Sequence, residues 1–412
     1  GRKRVGDMVL APGSFTADKH LGAQTYDVTA LVRDGENELL IALGDGWYRS
    51  TSGVDGDRDL FGKEVAVLFQ LEVDGKAVCV SDDDMEATQC GPIRQNDMQQ
   101  GEVYDARLEG DLSGWHGVKT EPNSLPITGM NTVPIREQEA FAGRLLRTPN
   151  GETVLDFGQN VAGYVEMKLT AHAGQKIKLL CGEALDENGN FTQENFQDRN
   201  RHKEGGTAQM LELVCKESEN HYKPSFTIMG FRYAKVETDI DLTGAEFTAH
   251  AVYSEMPVTG SFACGNADVD QLMKNSVWSQ KSNFCDIPTD CPTRVLVQAA
   301  LRQPFFRHGV AVHQGQAGFN KHAHIPCPAG AFAGRAVGGD IAEVALLAPD
   351  AVLDKLVHRV ISAGKRARHR HIGVDGVGSK HGIGQIGVGF DLGVAEAHNG
   401  EAGLKVVFPL FT

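Results

Sequence analysis

Asp286-Ile-Pro-Thr-Asp290-Cys-Pro-Thr-Arg294 is the stretch from which the rest of the chain can be ordered. It holds two carboxylates, two prolines, a cysteine and a guanidinium, with Cys285 directly before it. Proline fixes φ and removes a backbone donor, so no regular helix runs through this segment. A stiff loop that carries acids beside a guanidinium can hold a polar ligand. The same residues also make a proline-braced turn with solvated acids, and on chemistry alone that reading is the commoner one.

Working upstream, residues 259–294 turn helical. Asn266 can cap a helix through Val269, Leu272, Met273, Val277 and Trp278, whose spacings follow one helical face. Before residue 259 the periodicity is that of strands. Gln24–Thr29 alternates, and Asn37–Leu43 ends in the turn Gly44-Asp-Gly46. Val65–Val73 reads as one strand running into Asp74-Gly75, a strong hairpin dipeptide. Val154–Leu169, Gln175–Leu180 and Phe226–Glu237 read as further strands, the last bulged at Gly230. Short strands at this spacing predict a mainly β protein built of two β-sandwiches. Trp47 and Tyr48 can stack on a sugar ring as an aromatic platform, or brace the core. Asp55-Gly-Asp57-Arg-Asp59 alternates carboxylates but lacks the glycine and glutamate of a calcium loop, so no metal is assigned.

Val277-Trp-Ser-Gln280 followed by Asn283–Arg294 resembles the entrance to the catalytic domain of the bacterial α-L-rhamnosidases, glycoside hydrolase family 78. Arg4–Gly13 and Leu43–Arg49 resemble the accessory domain at the start of that family's fold, and Asp156-Phe-Gly-Gln-Asn160, Gly182–Asp186 and Gly230–Tyr233 its second β-domain. The resemblance implies an accessory sandwich at 1–125 that begins part-way through its strands, and a second sandwich at 126–258. It implies the start of an (α/α)6 barrel at 259–294, disrupted after about residue 294. It also implies inverting hydrolysis of terminal α-L-rhamnose from glycosides. Asp290 and Arg294 would then be catalytic-site residues, with Asp286, Trp47 and Tyr48 binding substrate. The family's general acid follows the arginine, where this chain has Val295, and its aspartate after Trp-x-Gly falls at Arg302. Its general base lies beyond the last residue here. Hydrolysis is therefore expected to be absent or very weak, and a non-catalytic carbohydrate-binding pair of sandwiches is the alternative.

The net charge of −14 over 412 residues argues against nucleic acid or an anionic membrane as partner and suits a neutral glycoside. No apolar run is long enough to cross a bilayer as a helix and no signal peptide is visible, so the expected compartment is the cytoplasm. The eight cysteines show no metal-finger spacing and are expected to be reduced and mostly buried. No cofactor is expected, and the sequence leaves the oligomeric state open.

Residues 295–412 differ from the rest. They hold 12 basic against 8 acidic side chains, 9 of the 15 histidines and 18 glycines. Asp340–Leu347 and Ala351–Ile361 read as helices, whereas the glycines of Gly373–Gly389 forbid one. Gly382-Ile-Gly-Gln-Ile-Gly387 matches a nucleotide fingerprint in letters, but no βαβ pattern surrounds it. The histidines match no zinc spacing, and Lys365–His371 reads as a solvated basic run. This segment reads as an atypical Gly/His-rich tail, frameshifted or disordered.

Overall fold

The computed structural model describes residues 3–13, 19–51, 58–110, 113–130, 133–195, 209–288, 370–373, 384–392 and 404–409. The chain divides into a unit of Gly1–Ala300 with Arg366–Thr412 and a unit of Leu301–Lys365, and the latter lies outside the described residues. The two helices expected at 340–347 and 351–361 lie outside them too.

Strands dominate, as the alternation requires. The first domain contains a five-stranded sheet in the order Ile127–Gly129, Leu21–Asp27, Leu404–Pro409, Gln70–Val73, Lys76–Val80. A four-stranded sheet runs Gly35–Leu43, Gly384–Leu392, Glu86–Thr88, His116–Gly117. Three short strands, Lys119–Pro122, Arg370–Gly373 and Ala66–Val67, form a third. Ile41, Leu43, Val67, Phe69, Leu71 and Ala87 meet in one buried cluster. The predicted hairpin forms at Asp74-Gly75, with Val73 opposite Lys76. Both turn residues take positive φ, 52° and 72°, as the tight turn between right-twisted strands demands.

The single strand expected over Val65–Val73 is two. Ala66–Val67 and Gln70–Val73 belong to different sheets. Leu68 and Phe69 between them are 2% and 1% exposed, because the chain crosses the core there and buries consecutive residues instead of alternate ones.

The second domain is a ten-stranded arrangement organised on the long strand Thr153–Ala171. Its first part pairs with Met229–Thr238 and its second with Glu246–Ser254. The handover falls at Gly163, where an added Cβ would lie 1.8 Å from the His250 carbonyl oxygen, so only glycine permits this approach. The irregularity expected at Gly230 sits on the partner strand instead. Asp156 and Val161 oppose Tyr233 and Phe231, so residues 157–160 are the ones looped out, and Gly158 takes φ +76°. Phe231 is fully buried edge-on to Phe157, at 5.5 Å and 79°, a side chain whose burial contributes about 2–3 kcal/mol.

Ile93–Asp97 and Gly101–Asp105 extend this second sheet, the latter lying parallel to Met210–Val214. The ladder joins them to the sandwich that follows. Three strands from the region read as a tail, 370–373, 384–392 and 404–409, lie within the first domain's sheets. Gly384–Leu392 is an extended strand.

The predicted helix is present as Ala267–Ser282, and the Asn266 side chain accepts from the Asp268 and Val269 backbone N–H groups at 2.9 and 3.3 Å. Its apolar residues are not covered among the described residues. Leu272 is 62% exposed, and Val269, Met273 and Val277 are also exposed. Trp278 secures that face, edge-on to Phe141 at 5.9 Å, with its Nε1 donating to the Asn160 carbonyl at 2.7 Å.

Candidate functional site

The motif loop leaves the helix at Asn283 and turns back onto the second sandwich. Phe284–Cys285 and Ile287–Pro288 pair as a two-residue ribbon, with Asp286 between them at φ +69°. The Asp286 backbone N–H donates to the Ser254 hydroxyl at 2.7 Å, and that hydroxyl donates to the Val133 carbonyl at 2.7 Å. Cys285 is 3% exposed and belongs to the sandwich core. Behind the helix, Lys281 lies 3.6 Å from the Glu139 carboxylate and over the Tyr253 ring, while the Tyr253 hydroxyl donates to Glu139 at 2.8 Å. The root of the loop is thus fixed from both ends of a short segment.

Asp286 itself is 8% exposed and faces Val9, Met130, Val133 and Ile135. An added Cβ on Gly13 would lie 2.6 Å from its carboxylate. Expected as a substrate contact, Asp286 sits in a packed joint between the N-terminal segment and the second sandwich. Asp290 and Arg294, the two expected catalytic-site residues, lie outside the described residues, as does Val295.

Trp47, one of the two expected substrate-stacking residues, is packed into the core. It is 5% exposed within the core cluster, so neither ring face is open for stacking. Tyr48 is half-buried and lies 6.2 Å from Phe61 with the rings 28° apart. Burial raises its hydroxyl pKa. Beside them is a polar knot that the sequence did not reveal. Fully buried Asp97 accepts from the Thr51 N–H at 2.9 Å, the Thr51 hydroxyl at 2.8 Å, and Arg58. The other end of the Arg58 guanidinium holds Asp45 at 2.9 Å, and Arg49 lies 3.2 Å from the same carboxylate. Arg58 and Asp59, read from the sequence as part of a calcium-like run, are tied to ion pairs here, with Asp59 3.6 Å from Arg49. The partners of Arg58 are 13 and 39 residues away in sequence, so no local spacing announces the clamp.

A second charged group lies on the second sandwich. Glu166 is held between His250 Nε2 at 2.7 Å and His221 Nε2 at 2.5 Å. Glu137 is bonded to Lys223 at 2.6 Å and to the Tyr164 hydroxyl, with His250 Nδ1 3.6 Å away. Burial pushes both carboxyl pKa values up, but the hydrogen bonds outweigh it, and both shift down overall. Carboxylates held ionised in this way cannot donate a proton near neutral pH.

Glu102 is the opposite case. Burial pushes its pKa up to about 7, although Ser225, Phe226 and Tyr222 all donate to it. That value would suit a general acid, but at 1% exposure with both oxygens occupied Glu102 meets no substrate. Among the described residues no group of three His, Cys, Asp or Glu side chains could hold a metal ion. The described cysteines are free, with Cys181, Cys215 and Cys285 buried but Cys90 and Cys264 exposed.

Three family models match the chain consecutively. Residues 1–146 match the α-L-rhamnosidase N-terminal domain, 146–253 the bacterial α-L-rhamnosidase concanavalin-like domain, and 257–295 the six-hairpin glycosidase domain of the same enzymes. Residues 1–295 belong to the bacterial α-L-rhamnosidase family. An α-L-rhamnosidase of Streptomyces avermitilis is 31% identical over 71% of this chain and 29% of its own length. One from Formosa agariphila is 32% identical, over 71% and 32%. The crystal structure of the native Aspergillus terreus α-L-rhamnosidase aligns with a TM-score of 0.59 at 31% identity, over 71% of this chain and 35% of that one. That of the Streptomyces avermitilis enzyme complexed with L-rhamnose aligns at 0.59 and 30%, over 71% and 29%. The chain spans about a third of the length of the rhamnosidases it matches. Its two β-domains followed by the opening helix of the six-hairpin domain are the rhamnosidase order, and the match ends at residue 295, one position past Arg294.

Proposed function

We propose that residues 1–295 are the non-catalytic scaffold and active-site threshold of an α-L-rhamnosidase, which in complete form removes terminal α-L-rhamnose from glycosides with inversion. The observation that supports this most is the unbroken order of the three domain matches, ending inside the helical glycosidase domain. The inverting mechanism needs one carboxylic acid to protonate the leaving oxygen and a second carboxylate to activate water. In this chain Val295 stands where the family's acid is expected, and a valine side chain has no proton to give. Asp290 and Arg294 would remain as sugar-contacting and carboxylate-orienting groups. Neither Glu102 nor the Glu137–Glu166 group replaces the acid, for the reasons of burial and ionisation given above.

The test is hydrolysis of p-nitrophenyl α-L-rhamnopyranoside by the full chain, beside a version with the family's Glu-Arg and Gly-Trp-x-Gly-Asp segments restored through a complete helical domain. The expected result is no turnover above the blank in the first and clear turnover in the second. Turnover by the chain as it stands would overturn the assignment of Val295. A second reading is a carbohydrate-binding pair of sandwiches, each with its own packed core cluster. Quenching of tryptophan fluorescence by L-rhamnose supports it, and a flat titration removes it.

A further inference from the structure

The strands from the C-terminal region occupy interior positions, not edges. Leu404–Pro409 lies between Leu21–Asp27 and Gln70–Val73, antiparallel to both. Gly384–Leu392 lies between Gly35–Leu43 and Glu86–Thr88, again antiparallel to both. Arg370–Gly373 lies between Lys119–Pro122 and Ala66–Val67. A decorating tail would add one strand to one open edge. Here three tail strands each close two edges, in three different sheets of one domain.

The registers agree with the sequence pattern. Within Gly384–Leu392, Ile386, Val388, Phe390 and Leu392 alternate with Gln385, Gly387, Gly389 and Asp391, a clean strand period over eight of the nine residues. All nine pair with Gly35–Leu43, and Ile386 falls opposite both Ile41 and Ala87, which are 7% and 0% exposed. Val406 falls opposite Tyr26 on one side and fully buried Leu71 on the other. A slip of one residue would set Gly387, in place of Ile386, against Ile41.

We propose that the strands 370–373, 384–392 and 404–409 act as intramolecular β-strand donors: the first sandwich carries slots for extended strands, and these three strands of the same chain fill them. The slots bind by main-chain hydrogen bonding on both sides of the inserted strand, with alternate apolar residues giving selectivity, which is the chemistry of strand addition to a sheet. Left empty, they would expose the paired edges of Leu21–Asp27, Gln70–Val73, Gly35–Leu43 and Glu86–Thr88, templates for association with other chains. The first domain is therefore completed only when these three strands are in place, and its stability is linked to residues as far from Gly35 as its partner Leu392.

The proposal is tested on the full chain in two ways. Hydrogen–deuterium exchange followed by peptide mass analysis should show amides of 385–391 and 405–408 exchanging on the order of 100-fold more slowly than an unstructured peptide. Exchange of both segments at the free-peptide rate would overturn it. For register, Thr25→Cys with Val407→Cys places thiols at directly opposed positions, and Glu38→Cys with Gly389→Cys does the same in the other sheet. Mild oxidation should link each pair within one chain, whereas the displaced pair Thr25→Cys with Val406→Cys and each single variant should stay open. Failure of both in-register pairs to close, or closure only between two copies, would overturn the intramolecular assignment.

Discussion

The Ser254 hydroxyl accepts the Asp286 backbone N–H and donates to the Val133 carbonyl, both at 2.7 Å, and so joins the motif loop to the strand-entry segment of the second sandwich. Ser254 is fully buried. Ser254→Ala leaves the buried Asp286 N–H and the part-buried Val133 carbonyl without this partner, with a desolvation cost that falls mainly on the N–H. The expected destabilisation is about 2 kcal/mol, read as a lower denaturant midpoint with an unchanged slope. An unchanged midpoint would show that the loop is not held this way.

Glu102 gives a pH dependence of definite sign. Its folded pKa, raised by burial to about 7, lies above the ordinary value of 4.5. Below 4.5 both states hold the proton and the group is neutral to stability. Between 4.5 and 7 the unfolded chain ionises freely while the folded one resists, so stability falls as pH rises. The full loss, about 3 kcal/mol at most, is reached above pH 7. Glu102→Gln keeps an acceptor for Tyr222 and should flatten that part of the stability profile. A wild-type profile that is already flat from pH 4.5 to 7.5 would contradict the assignment.

Arg58 compensates two buried carboxylates at once. Asp97 is 0% and Asp45 2% exposed, and the guanidinium reaches both. Removing one partner of a buried pair leaves an uncompensated charge, and with Arg58 partly exposed the discounted cost of Arg58→Ala is about 2 kcal/mol. Adding Asp97→Asn should recover part of that loss, because the uncompensated charge is then gone. Thermal melts of the two variants check both the loss and the recovery.

Gly101 is required by its neighbour. It takes φ +117°, and an added Cβ would lie 1.7 Å from the Met210 carbonyl oxygen across the parallel ladder. Gly101→Ala should cost more than 3 kcal/mol, combining strain with displacement of backbone, and should lower soluble yield sharply. Gly75→Ala, where nothing lies within 4 Å, serves as the control and should cost only its positive-φ strain of about 1 kcal/mol.

Much of this was legible along the chain because it depends on neighbours in sequence. The Asp74-Gly75 hairpin, the Asn266 cap and the alternation of Gln175–Leu180 each rest on two to six adjacent residues. The motif at 277–294 located the start of the helical domain for the same reason, since its unusual composition is contiguous. The errors fell where packing crosses from one segment to another. Nothing local distinguishes a strand that stays in one sheet from one that switches, so the pattern of Val65–Val73 reads as continuous. Trp47 could be a platform or a core residue until the second sandwich closed over it.

The sequence by itself determined the strand-rich class, the helix after Asn266 and the family to which residues 1–295 belong, because periodicity, capping and a contiguous motif are written in consecutive residues. Only the tertiary structure decided that Asp286 sits in a joint, that Arg58 clamps Asp45 to Asp97, and that strands 384–392 and 404–409 complete sheets begun at residues 21 and 35. Those relationships depend on backbone donors, buried charges and open strand edges finding partners far off in the chain, and the need to satisfy them is felt only once water has been excluded.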